Sequence, residues 1–355
     1  MCKRLALFPM TKDLCAVARH AAMLQGYTLS HILAPAYTGL AGQDVSLADG
    51  GSTCGVSFAA YSEDTLADCD VLLVDYDENM KELDIYQSAT DTARRLGKEV
   101  ILTRKLAQLL NAPEDVCDTA AGTWPTNIPE QLYEIDVPVI TVLSQGPRTD
   151  QLAVELTLRK HFMDAGYKVA QLSSHIAGTL FGFDSLPTFL YEQRDAYDKM
   201  LRFNHYVKDM TQAASPDVLI MGAPEGIMKY NNNVLMGMGY LPQIICDAVP
   251  SDLPVLCMYH AKYNKLYLDD ISLFGQYRLG AAIQHFHAAN SFFSAQSTAL
   301  SLKKEYTDLK SDFVLHSLKD VKVTDYHLVN VLDAASAQGL FRAMQDELTD
   351  NACAV

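Results

Sequence analysis

The sequence predicts an α/β fold: a Rossmann-like parallel-sheet domain followed by a P-loop-NTPase-like α/β domain with a degenerate phosphate loop. Three observations carry this. Over about the first hundred residues, short apolar runs alternate with amphipathic stretches, as in βα units that build a parallel sheet with helices on both faces. A stretch rich in proline, glycine, threonine and alanine then breaks the pattern. Beyond it, an apolar strand passes through a tight glycine loop into a long helix, the layout of a phosphate-binding unit.

The first domain, residues 1–110, opens with the apolar run Arg4 to Phe8, ended by Pro9. From Lys12 to Gln25, Leu14, Val17, Ala18, Ala21 and Ala22 recur at helical spacing up to Gly26, so a strand precedes a helix. Tyr27 to Leu33 is the next strand, and Asp70 to Tyr76 and Glu99 to Thr103 follow, with a helical stretch from Met80 to Leu96 between them. No G-x-G-x-x-G follows the first strand, where Pro9-Met10-Thr11 stands, so a dinucleotide is not supported. The connection Gly39 to Gly51 holds four glycines, Asp44 and Asp49, and no basic residue. It falls where open sheets bind ligands. Its aspartates, with Gly50, are suited to hold a cation, a sugar hydroxyl or an amine; the alternative is a long connection whose glycines only supply positive φ. On the ligand reading, Asp44 and Asp49 face the cleft between the domains.

Residues 111–136, with Pro113, Gly122, Trp124, Pro125 and Pro129, read as a linker, Trp124 being packed against a domain face. In the second domain, 137–355, Val137 to Leu143 is a buried-type strand. Ser144-Gln145-Gly146-Pro147-Arg148-Thr149 then opens a helix that closes at Gly166, and Tyr167 to Leu172 is the next strand. A P-loop needs Gly-Lys-Ser/Thr to set an ammonium on the β/γ-phosphates and a hydroxyl on Mg²⁺. Asp150-Gln151-Leu152 stands there instead, and Asp150 repels a triphosphate. Gly146, Arg148 and Thr149 remain candidates for anion binding, Arg148 as a phosphate fork.

Asp217 to Met221 runs into Gly222-Ala223-Pro224-Glu225-Gly226, which sets Glu225 at a strand's C-terminal end, where an acid of the Walker B type would lie. Glu225 is the candidate catalytic carboxylate, with turn capping as its equal alternative. Leu253 to Met258 is a further strand. His175 and Asp184 occupy loop sequence after a strand and are candidate ligand-binding residues. The run Phe274 to Ala295 reads as helical, which would make His285 and His287 diverge, so no metal site is expected.

Composition narrows the function. The chain has 355 residues, 49% apolar and 20% charged, the mix of an ordinary globular protein of about two domains. A charge of −15 and a pI near 5.0 repel a phosphate backbone. The densest basic stretches, Arg104-Lys105 and Lys303-Lys304, are only pairs, so nucleic acid is not an expected partner. The opening Met1 to Phe8 is interrupted by Pro9, Lys12 and Asp13 before a signal-peptide core develops, and no run approaches the roughly eighteen apolar residues of a membrane span. Eight cysteines without a C-x-x-C pair read as free thiols of a cytoplasmic protein.

Gly42-x-Asp44 with Ala48-Asp49-Gly50-Gly51, then Val142-Leu143 with Gly146, Phe181-Gly182-Phe183, Phe203-Asn204-His205, Gly222 to Met228 and Phe274 to Gly280 together give the chain its resemblance. From Lys3 to about Leu348 it resembles the peptide maturation system proteins of clostridial-type bacteriocin clusters. The resemblance implies a neighbouring Cys-rich precursor peptide, made by the ribosome, and a radical-type maturase; it assigns no activity. The architecture is also similar to proteins joining a Rossmann-like half to a dethiobiotin-synthetase-like half. In those, Gly-Lys-Thr carries the phosphate, and the departure at Asp150, Gln151 and Leu152 puts ATP-dependent ligation in doubt.

Two functions follow as expectations. As an accessory protein, the chain binds precursor peptide or maturase in the groove between its domains and hydrolyses no nucleotide. As an enzyme, it uses Glu225, Asp44 and Asp49 around a ligand at the loop, in group transfer or ATP-grasping ligation on a peptide. The missing lysine favours the first. Cofactor and oligomeric state, a homodimer included, stay open.

Overall fold

A computed structural model describes residues 2–80, 82–112, 128–301 and 303–353, with side chains to residue 350. Trp124 and most of the expected linker lie outside the described residues. Contacts group the chain into two compact units, Met1–Ala121 with His175–Ser185, and Gly122–Ser174 with Leu186–Val355.

The first unit runs β1 (Lys3–Phe8), α1 (Lys12–Arg19), β2 (Tyr27–Ala34), β3 (Ala59–Ala60), α2 (Glu63–Ala67), β4 (Val71–Val74), α3 (Leu83–Arg95), β5 (Glu99–Leu102) and α4 (Arg104–Leu109). Its five-stranded sheet is parallel throughout, in the order β3-β2-β1-β4-β5. Leu5, Ala6, Leu7 and Phe8 are all buried, as a central strand covered on both faces requires. After β3 the chain returns to the other side of β1, so the order reverses between β1 and β4, the place where open α/β sheets bind ligands. Thr11 caps α1 by accepting the Leu14 amide at 3.2 Å. The helix expected over Lys12–Gln25 ends at Arg19 and gives way to a short 3₁₀ turn at Ala21–Met23.

The second unit comprises β6 (Val139–Ser144), α5 (Gln151–Asp164), β7 (Val169–Ser173), β8 (Asp184–Ser185), α6 (Ala196–Ala214), β9 (Val218–Gly226), α7 (Tyr240–Ala248), β10 (Leu253–Met258), α8 (Lys265–Arg278), β11 (His285–Ala288), β12 (Ser291–Phe293), α9 (Ala295–Ser301), β13 (Tyr306–Asp308), α10 (Ser311–Leu318), β14 (His327–Val329) and α11 (Ala334–Cys353), of which β8 groups with the first unit. The strand order is β14-β11-β10-β6-β9-β7-β8, with parallel pairing from β14 to β7. Both sheets are thus mainly parallel and interleaved with helices, the α/β class expected. On one face of this sheet Phe203, Val207, Leu241, Ile245 and Leu268 bury against the strands. On the other lie Val154, Leu158 and Phe162 of α5 with Leu340, Phe341 and Met344 of α11. A separate antiparallel pair joins β12 to β13.

The run 274–295 is not one helix: α8 ends at Arg278, Gly280 takes φ +82°, and His285–Ala288 form β11. Gly280 stops a helix by reaching the left-handed region at little cost. The four residues of β11 are all buried between two helical layers, so tertiary burial overrides the helical spacing.

Glu155 of α5 is fully buried. It accepts hydrogen bonds from Ser173 Oγ at 2.9 Å, from the Ser174 amide at 3.4 Å, and from the Ser174 hydroxyl. Room for this carboxylate exists because position 222 has no Cβ; one there would collide with Glu155 Oε1. Gly222→Ala should therefore destabilise the protein by about 1–3 kcal/mol through overpacking, read as a lower denaturation midpoint. An unchanged midpoint would mean that Glu155 is free to move.

Candidate functional site

At the reversal point of the first sheet, the residues that follow β1 and β4 converge. Asp75, one residue past β4, is 7% exposed. Its Oδ2 accepts the Thr11 hydroxyl at 2.6 Å and its Oδ1 the Tyr76 amide at 2.8 Å. His175 Nε2 lies 3.6 Å from Asp75 Oδ1, and an Asp13 oxygen is within 4.8 Å of both groups. Burial pushes the Asp75 carboxyl up, but His175, the Thr11 hydroxyl and the Tyr76 amide outweigh it and hold it below the ordinary aspartate value. His175 Nδ1 accepts the Ala177 amide at 3.2 Å, which places the imidazole proton on Nε2, facing Asp75. That nitrogen then has no lone pair for a metal. The cluster is equipped to hold the hydroxyl or amino groups of a polar ligand. Of its members the sequence reading found only His175; the acid at the end of the apolar run Val71–Val74 was the available signal for Asp75.

Both aspartates of the aspartate-glycine loop are engaged by protein groups. Asp44 accepts the amides of Ser46 at 2.9 Å, Cys54 at 3.2 Å and Gly55 at 2.9 Å. Desolvation is the largest single influence and opposes ionisation, but the hydrogen bonds from Ser46, Cys54 and Gly55 together outweigh it, lowering the carboxyl to about 2. Asp49 is 2% exposed. Arg19 grips it through Nε and Nη2, Cys15 Sγ approaches at 3.0 Å, and the Gly51 amide donates at 2.9 Å. Gly50 takes φ +70° and donates its amide to Ser46 O at 2.8 Å. Asp184 opens β8 and is exposed.

In the second unit, Gly146, Arg148, Thr149 and Glu225 gather at the end of β6. The backbone is strained: Arg148, Asp150 and Glu225 are three of the five described non-glycine residues with positive φ, at +63°, +60° and +71°. Arg148, Thr149 and Asp150 each meet a protein partner. Arg148 Nη2 donates to both carboxylate oxygens of Asp308 at 2.8 and 2.9 Å, and its guanidinium lies 5.5 Å from the Tyr306 ring centre. Thr149 Oγ1 donates to Gly146 O at 2.9 Å. Asp150 Oδ2 accepts the Asn290 amide at 3.0 Å and lies 3.5 Å from His287 Nε2. Tyr259 donates to Pro147 O at 2.7 Å, and a Cβ at Gly146 would come within 2.5 Å of that hydroxyl. Glu225 sits at the surface, where partial desolvation raises its carboxyl and Lys199 works against the rise.

No known family pattern and no curated protein matches the chain. Among solved structures it is similar to a DUF1611 family protein from Anabaena variabilis, with a TM-score of 0.62 and 12% identity over 97% of this chain and 99% of that one. That likeness shows the two-domain α/β fold alone. A pseudomurein peptide ligase type C from Methanothermus fervidus aligns with a TM-score of 0.28 and 8% identity, over 72% of this chain and 37% of that one, too low to argue a shared fold. Among the described residues, no helix is long and apolar enough to cross a membrane.

If Asp49 is a structural anchor, Asp49→Asn weakens the Arg19 pair and lowers stability. Breaking a fully buried pair costs about 3–5 kcal/mol; the loss should be smaller here, because Arg19 reaches solvent. Urea denaturation measures it, and unchanged stability would return the loop to a ligand-binding role.

Proposed function

We propose that the chain is an accessory protein in the maturation of a ribosomally synthesised peptide, binding precursor peptide or maturase without hydrolysing nucleotide. The observation that carries this reading is the state of the β6–α5 loop. Phosphoryl transfer needs cationic groups and a metal at the reacting phosphate. In this loop the one cation, Arg148, is held by Asp308, and Asp150 puts a negative charge at the start of α5, where a helix N-terminus would otherwise attract an anion. Leu235 and Met238, between β9 and α7, and Tyr240, which opens α7, are exposed, and neighbouring exposed apolar residues commonly mark protein or peptide contacts.

A second reading, a group-transfer enzyme acting on a peptide, draws on the Thr11, Asp75 and His175 cluster at the reversal point of the first sheet, where an oriented imidazole N–H meets a buried carboxylate. Glu225, near the end of β9 with φ +71° and a raised carboxyl, is the alternative acid for that reading.

Native mass spectrometry of the protein purified from its own host separates these. The accessory reading expects a retained Cys-rich peptide, or a maturase, that is lost in the Leu235→Asp, Tyr240→Asp variant. A retained nucleotide, or a retained peptide covalently altered by the purified chain alone, would contradict it.

A further inference from the structure

His285, which the helical reading of residues 274–295 set aside, belongs to a group that neither functional reading uses. β11 and β14 are adjacent parallel strands, and their register sets His285 directly beside His327. Side chains at paired positions share a face of the sheet, and the two imidazoles stack with centroids 5.0 Å apart and planes at 15°. α11 crosses the same face and delivers Glu347. Glu347 Oε1 lies 3.2 Å from His285 Nε2 and 3.9 Å from His327 Nε2. All three ligand atoms fall within 4.8 Å of one another.

We propose that His285, His327 and Glu347 form a binding site for one divalent transition metal ion of the zinc class. Metal–nitrogen and metal–oxygen bonds of roughly 2.0–2.2 Å at a tetrahedral angle place ligand atoms about 3.3–3.5 Å apart. Of the three separations, that from Glu347 to His285 is already slightly shorter, that from Glu347 to His327 needs a contraction of a few tenths of an ångström, and the two imidazole nitrogens, within 4.8 Å of each other, close by rotation of the exposed His327. Two imidazoles and one carboxylate form the mixed N/O set that suits zinc, cobalt, nickel or copper, whereas calcium and magnesium favour oxygen alone. No backbone amide donates to either nitrogen of His285 or His327 among the described hydrogen bonds, so nothing holds the proton off His285 Nδ1; with the proton there, Nε2 exchanges its 3.3 Å hydrogen bond to Glu347 for a metal. His285 is 1% exposed and His327 is 48% exposed, so one ligand is anchored in the core while the other faces solvent. That arrangement leaves an entry path and a fourth position for water. An ion here would tie α11 to the edge strand β14, a role separate from peptide binding.

The test uses the full chain, stripped with a chelator and titrated with zinc chloride. It should bind one equivalent, and zinc should raise the melting temperature in a chelator-reversible way. His327→Ala and Glu347→Gln change groups that reach solvent, so both variants should fold, each losing at least about tenfold in zinc affinity and most of the thermal gain. Cobalt(II) should give visible d–d bands without the intense thiolate charge-transfer absorption of a cysteine site. Absence of saturable binding, binding unaltered in both variants, or a thiolate band would each overturn the proposal.

Discussion

Gln151 places its side-chain amide between the ends of two central strands, donating to Val142 O of β6 and Ala223 O of β9, both at 2.8 Å. This pins the first turn of α5 against the sheet and fixes the turn that precedes it. With Gln151 anchored, Asp150 is drawn under the chain to the Asn290 amide, Arg148 turns outward to Asp308, and Ser144 Oγ lies 3.0 Å from Glu225 O. The positive φ angles of Arg148, Asp150 and Glu225 are sustained because these partners over-determine the backbone. In a P-loop, the corresponding groups face outward to phosphate. Here they face the protein.

The α/β class, the elements β1, α1, β2, β4, α3 and β5 of the first unit, and the strand-loop-helix at Val139–Asp164 were legible in the sequence, because buried parallel strands are short continuous apolar runs and their flanking helices are amphipathic; the two-residue β3 and the short α2 and α4 were not, since so few residues carry no periodicity. The replacement of Gly-Lys-Ser/Thr by Asp150-Gln151-Leu152 was equally plain, since one missing ammonium alters the chemistry by itself. Partners distant along the chain were not legible. Nothing local in Gly39–Gly51 says that Arg19 will reach Asp49, and nothing near Arg148 announces Asp308 across 160 positions. His285 was misplaced for the same reason: residues 274–295 carry helical spacing, but burial on both faces and the stop at Gly280 decide for a strand.

The two imidazole groups show how one backbone contact redirects a side chain. At His175 the Ala177 amide occupies Nδ1, so Nε2 carries the proton and serves Asp75 as a donor. At His285 and His327 no such amide intervenes, so the proton can move to Nδ1 and Nε2 of His285 can exchange its 3.3 Å hydrogen bond to Glu347 for a metal. Similar residue types therefore suit a polar organic ligand in one unit and a metal ion in the other. Asp44 and Asp49 make the same point for carboxylates, since amides and Arg19 already meet the charges that would otherwise call for a ligand.

With Arg148 paired to Asp308 and Asp150 accepting the Asn290 amide, the β6–α5 loop offers a phosphate no uncommitted cation. Isothermal titration calorimetry of the full chain with Mg²⁺ and ATP tests it directly. No saturable heat is expected for the native protein and none for Arg148→Ala. Saturable binding that Arg148→Ala abolishes would contradict it, because Arg148 would then be leaving Asp308 to serve the nucleotide.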